Sequence, residues 1–224
     1  MVTTIYLVRH CEARGNIDRE FHGSFDSDIS DNGREQLRRL AERFRDIPLD
    51  AVYSSPLKRA RLTAEAVNEA HGLPIVFDKR LEELHGGKWE KNLWAELPKL
   101  FPESSEAWGS RPHEFEAPEG ETMRQLYDRM REALTDIAAA NEGKTVAVAS
   151  HGCAIRNALC WALTGDIVHL KEIPWCDNTA VSVLVFEGGK LTVPNYNDSS
   201  HLDYETSTIE KQNWWRKDAP NVFE

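Results

Sequence analysis

Thr145-Val146-Ala147-Val148-Ala149-Ser150-His151-Gly152 is the stretch that decides the fold. Its first five residues are small or β-branched and almost entirely apolar, which predicts a short strand buried on both faces, as in the interior of a parallel sheet. It then runs without a turn into Ser150-His151-Gly152 and a helical pattern through Leu163. The same grammar recurs at the start of the chain, where Thr3 to Val8 reads as a buried strand that delivers Arg9 and His10 from its carboxyl end. It recurs once more at Leu49 to Tyr53, followed by Ser54-Ser55-Pro56, with Ser55 expected as N-cap, Pro56 at the first helical position and Arg59 in the first turn.

Between these strands lie helices of amphipathic spacing. Leu37, Leu40, Ala41 and Phe44 mark one, started by Ser30 and Asp31. Leu57, Ala60, Ala64 and Val67 mark a second, which His71-Gly72 ends before a strand at Leu73 to Phe77. A capping box at Thr122-x-x-Gln125 opens a long helix through Met123, Leu126, Tyr127, Met130, Leu134, Ile137 and Ala138. Val181 to Phe186, Gly188-Gly189 and Leu191 to Val193 read as a closing hairpin. Strands alternating with helices predict an α/β fold, a three-layer α/β/α sandwich around a largely parallel sheet. Residues 92–120, with four prolines and two tryptophans, lack clear periodicity and are expected to form a helical cap insert, of a length usual for lids and binding loops.

Composition excludes several classes. The chain has 224 residues and a formal net charge of −10, so it offers no general attraction to nucleic acid or to an anionic membrane. No apolar run is long enough to span a bilayer and the N-terminus has no signal-peptide pattern, so a cytoplasmic protein is expected. Cys11, Cys153, Cys160 and Cys176 form neither a paired CxxC pattern nor a disulfide framework and are expected as thiols. Binding of a small anion in such a chain requires a local cluster of cations. In open α/β sheets ligands bind beyond the carboxyl ends of the strands, and Arg9-His10, Arg59 and Ser150-His151-Gly152 all arrive there. Taken singly, each is as well explained as a packing or surface residue; their convergence points to a phosphate site.

These motifs, in this order, resemble the histidine phosphatase superfamily, also called phosphoglycerate mutase-like. The matching segments are Leu7-Val8-Arg9-His10, Gly33-Arg34-Glu35, Ser54-Ser55-Pro56-Leu57-Lys58-Arg59-Ala60, Leu81 to Glu90, Ser150-His151-Gly152 and Asn195 to Leu202. They cover roughly the first 200 residues and leave 201–224 as a polar tail that either docks or moves freely. The resemblance implies hydrolysis of a small phosphorylated metabolite with neither metal nor cofactor. In it His10 is the nucleophile, Glu83 the proton carrier in preference to its neighbour Glu82, and His151 the second histidine. Arg9, Arg59, Asn16, His22 and Gly152 surround the phosphate.

Phosphoglycerate mutase activity is the nearest alternative. It uses the same residues, but the mutase branch carries Glu-Arg-His-Tyr-Gly where this chain has Glu83-Leu84-His85-Gly86-Gly87. A phosphate-binding scaffold without activity is the second alternative, against which the full set of His10, Arg59, Glu83 and His151 argues. Cys11 stands where the family has glycine, which questions the close backbone approach at that point. Together with Cys153 it flanks the two histidines, so small packing residues and redox-active thiols are both open readings. A metal held by His10, Cys11, His151 and Cys153 is disfavoured, since sequence neighbours seldom face one tetrahedral centre. Trp89, Trp94, Trp108, Arg111, His113 and Phe115 either line the mouth of the site or form the cap's own core. A homodimer through the hairpin or Trp214-Trp215 is a further expectation.

Overall fold

The computed structural model describes residues 1–212, so Trp214 and Trp215 lie outside the described residues. Six strands among them form one sheet in the order β3-β2-β4-β1-β5-β6. β1 (Val2–Arg9), β2 (Ala51–Ser54), β3 (Ile75–Phe77) and β4 (Thr145–Ser150) are mutually parallel, whereas β5 (Val181–Glu187) and β6 (Lys190–Asp198) add antiparallel to one side. Gly188 and Gly189, at φ 56° and 79°, make the two-residue turn between the last two strands. A two-residue loop with both φ values positive follows the right-handed twist of the flanking strands.

The side chains of β1 explain the layering. Val8 faces one cluster with Leu40 and Phe44 of α2 (Asp31–Phe44) and Ala64 and Val67 of α3 (Lys58–Val67). Ile5 and Leu7 face the other, with Leu126, Met130 and Leu134 of α6 (Met123–Ala140) and Ala154, Ala158 and Leu159 of α7 (Gly152–Thr164). The three-layer α/β/α sandwich is thus the product of period-two alternation on strands and 3.6-residue stripes on helices.

The local start signals behave as their chemistry requires. Ser30 accepts from Gly33 N–H at 2.8 Å, and Thr122 and Gln125 exchange side-chain and backbone bonds at 2.8 and 3.2 Å. Ser55 does not cap α3. That helix begins at Lys58 with Leu57 as its N-cap residue, and the Ser55 hydroxyl is drawn to His151, the N-cap residue of α7.

Residues 92–120 hold α4 (Leu97–Leu100), α5 (Pro102–Ser110) and a 3₁₀ turn at Pro112–Glu114; upstream, α1 (Arg14–Asp18) follows β1. Phe21, Trp89, Trp94, Trp108 and Phe115 pack ring to ring at centroid distances of 4.8 to 6.1 Å. Trp89 and Phe115 are fully buried there, and the rings continue the core formed by Ile5, Leu7, Leu126 and Met130, so these two neither line a mouth nor form a core separate from that of the sheet. Arg111 is taken by Glu106 and Glu114 at 2.7 Å each on the surface, and His113 lies 3.6 Å from Glu114. The chain after Ser199 returns to the domain, where α8 (Thr208–Lys211) is capped by Ser207 and docked on Asp177.

Candidate active site

The parallel register aligns Arg9 of β1 with Ser150 of β4, and Ser54 of β2 with Ala149 of β4. One residue further on, the three strand ends release His10, His151 and Ser55 into the same crevice. All three are buried. The imidazoles of His10 and His151 stand 5.2 Å apart between centroids, and His22 stands 6.0 Å from His10.

His10 is fixed from both ends. Its backbone N–H donates to Ser150 O at 2.9 Å, and its carbonyl accepts from Asn178 Nδ2 at 2.9 Å. Nδ1 lies 2.7 Å from the Cys11 carbonyl. A carbonyl can only accept, so the proton resides on Nδ1 and Nε2 keeps its lone pair. That is the protonation state a nucleophile needs. Cys11 in the family's glycine position leaves this contact intact, since only its backbone makes it.

Arg9 donates through Nη1 to Cys176 O at 2.5 Å, while Nε is buried without a partner. A Cβ on Gly152 would stand 3.2 Å from Arg9 Nε and 3.3 Å from its Cζ. A side chain at 152 would therefore crowd the Arg9 guanidinium, which lies against the start of α7. Arg59 is fully buried and donates to the carbonyls of Phe25, His22 and Gly23 at 3.0, 3.2 and 2.7 Å, again leaving Nε unpartnered. Burial, working against its charge, brings Arg59 down to about 10. His22 Nδ1 reaches Glu20 O at 3.2 Å, and the half-buried Asn16 accepts from Ala13 N–H through Oδ1 at 3.0 Å, capping α1.

Glu83 sits where the chain predicts a carboxylate. Its two oxygens accept from the N–H groups of Cys153 and Ala154 at 3.0 Å, in the first turn of α7, and from Leu84 N–H at 2.9 Å. It thereby satisfies helix-terminal donors that have no partner within the helix. The loop carrying it is clamped by Arg129, which donates to the carbonyls of Arg80, Glu82 and Glu83 at 2.8, 2.7 and 3.0 Å while paired with Glu121. Glu90 ties residues 23–24 to the loop after Glu83, accepting from the N–H groups of Gly23, Ser24 and Gly86 at 2.9 to 3.0 Å. Sequence reasoning missed Arg129 and Glu90, and it misplaced Ser55, whose Oγ lies 2.7 Å from His151 Nε2.

The thiols are quiet. Burial pushes Cys11 up to about 12 and Cys153 well above the ordinary thiol value. A thiolate is the reactive form, so of the two readings open for these cysteines the structure supports small packing residues. Among the described residues no group of three or more His, Cys, Asp or Glu side chains is arranged to hold a metal.

Burial first, and then the charge of Arg59, holds His10 and His151 well below the ordinary imidazole value and His22 at about 3. All three are thereby held toward the neutral form in the fold, whereas the sequence counts His151 among the cations. The unfolded chain takes up these protons near 6.5, so it binds more of them in the window below. Their stabilisation is therefore complete above that value and is lost as the pH falls toward the folded values, at about 1.4 kcal/mol per pH unit for each group. Urea unfolding at neutral pH and at about pH 5 is expected to show a marked loss of stability on acidification. Equal midpoints would contradict it.

Comparison with known proteins gives one answer. A family described as the histidine phosphatase superfamily (branch 1) matches residues 5–199. Phosphoserine phosphatase 1 of Hydrogenobacter thermophilus is 32% identical over 88% of this chain and 93% of its own length. Phosphoglycerate mutase-like protein 4 of Arabidopsis thaliana is 34% identical over 89% and 86%. The solved structure of YhfR from Bacillus stearothermophilus superposes with a TM-score of 0.86 at 32% identity, covering 90% of this chain and all of that one. With its sheet order, its paired histidines and its buried arginines, this chain belongs to the histidine phosphatase superfamily.

Proposed function

We propose that the protein hydrolyses the phosphomonoester of a small metabolite through a phosphohistidine on His10. The observation that carries this reading is a set of three buried nitrogens without partners, Arg9 Nε, Arg59 Nε and His151 Nδ1, on the residues that surround His10. Leaving a donor unpaired in a protein interior costs about 1–3 kcal/mol. A phosphoryl group offers three equatorial oxygens with lone pairs and a negative charge, which satisfies such donors and offsets the desolvation of both arginines.

The chemistry then follows in two displacements. His10 Nε2 forms the N–P bond as the P–O bond to the alcohol breaks, and Glu83 supplies the proton to the departing oxygen. Water next attacks phosphorus, Glu83 takes its proton, and the N–P bond breaks to release phosphate and regenerate His10. Glu83 Oε2 accepts a single N–H and so has a lone pair for that proton. Arg9 and Arg59 spread the charge of the transferring group.

The relative from Hydrogenobacter makes O-phosphoserine the first substrate to try. A panel of phosphomonoesters assayed with chelator present is expected to release phosphate without added bisphosphoglycerate; transfer without release would instead favour a mutase. In the same panel Glu83→Gln should lower kcat/KM, which reports formation of the phosphoenzyme, about 10²–10⁴-fold on alkyl phosphates and far less on nitrophenyl phosphate, because that leaving group departs without a proton. An equal loss of kcat/KM on both would remove Glu83 from protonation of the leaving oxygen. No helix among the described residues is long and apolar enough to cross a membrane. A cytoplasmic location accords with four free cysteines.

A further inference from the structure

Ser55 is the unexplained residue of the site. It is fully buried at the end of β2, it does not cap the helix that its Ser-Pro signature announces, and its neighbour Ser54 bonds independently to the Ser55 carbonyl. Its Oγ has two partners. The Leu57 N–H, at 3.3 Å, can only donate, so it occupies a lone pair of the hydroxyl. The other partner is His151 Nε2 at 2.7 Å. A buried hydroxyl proton without an acceptor is costly, and the imidazole nitrogen is the acceptor within reach. The proton therefore points from Ser55 to Nε2.

That direction has a consequence one ring bond away. A neutral imidazole carries one proton, and an Nε2 that accepts places it on Nδ1. His151 Nδ1 is buried and unpartnered. We infer that Ser55 is a positioning residue that fixes the Nδ1–H tautomer of His151 and so keeps a neutral N–H donor ready for the transferring phosphoryl group. The two site histidines then share one tautomer but are locked in opposite ways: His10 by a carbonyl accepting from Nδ1, His151 by a hydroxyl donating to Nε2. One ring offers its open nitrogen as a lone pair and the other as a proton. Nucleophile and donor are thereby told apart by their second contacts, although the two side chains are chemically identical.

The inference rests on the phosphatase reading for the use of the donor, but not for its existence. Imidazole ¹⁵N chemical shifts of His151 in the unliganded protein at neutral pH report the tautomer without any substrate. Wild type is expected to show Nδ1–H. In Ser55→Ala the ring should move to Nε2–H or to a mixture, with kcat on O-phosphoserine or another turned-over ester falling about tenfold to a hundredfold. Ser55→Thr, which keeps the hydroxyl, should restore both. A wild-type Nε2–H tautomer overturns the inference, as does a Ser55→Ala protein that keeps Nδ1–H or keeps its kcat. A wild type with the expected tautomer but no phosphatase activity leaves the geometry standing and overturns the functional reading instead.

Discussion

His10→Ala is expected to lower kcat by at least about 10⁴-fold, the scale of losing a covalent nucleophile, and to abolish an acid-labile phosphoenzyme that rapid quenching should trap in wild type. The fold should survive. The backbone of His10 is held by Ser150 O and Asn178 Nδ2, contacts the variant retains, and the side chain contributes one further bond, to Cys11 O. Orthophosphate affinity should change by no more than a few-fold, because Arg9, Arg59 and His151 remain in place. Activity within tenfold of wild type, or a phosphoenzyme that persists, would remove His10 from covalent catalysis.

Arg59→Met should cost about 10²–10³ in kcat/KM, the range seen when one charge-stabilising donor is lost from a closed site. Stability should respond much less. The substitution leaves the carbonyls of His22, Gly23 and Phe25 without their donor, but it also removes a charge whose burial is unfavourable enough to bring the group down to about 10. These two effects oppose one another. Arg59→Lys should not rescue activity, since a single ammonium cannot span three carbonyls as a planar fork does. The pH profile should also move. Arg59 is the leading charge that holds His10, His151 and His22 low, so its loss raises all three and shifts the acid limb of kcat/KM to higher pH. A profile that stays in place would show that Arg59 does not face the histidines. Retention of tight orthophosphate binding would show that it does not hold phosphate.

What the chain reveals to a reader of its sequence is what is local. The run at Thr145 to Ala149 declares a buried strand, and Thr122 with Gln125 declares a helix start, because each acts within a few residues. Glycine after His151 is legible as a motif, although the close approach of the Arg9 side chain to it is visible only in three dimensions. Ser55 shows the limit. Ser-Pro before a helix is a sound capping signal, yet a histidine 96 positions away offers the hydroxyl a better partner, and the helix starts later with Leu57 as its cap residue. Arg129 and Glu90 escape notice for the same reason. Apart from Glu121 and Gly86, their partners lie 46 to 67 residues away along the chain, and no periodicity announces a carbonyl clamp or a cradle of N–H groups.

The docking of α8 has one more meaning. Glu12, two residues past His10, bonds to the hydroxyl of Thr208 across 196 positions, and Asp177 takes Ser207 and Thr208 beside it. On the ribosome, Glu12 emerges 196 positions ahead of the hydroxyl that buttresses it. Until α8 has followed, the Glu12 carboxylate has Ser30 and Asn32 but lacks the hydroxyl of Thr208. Contacts of such span close late, so the protein should acquire its activity only after α8 has emerged.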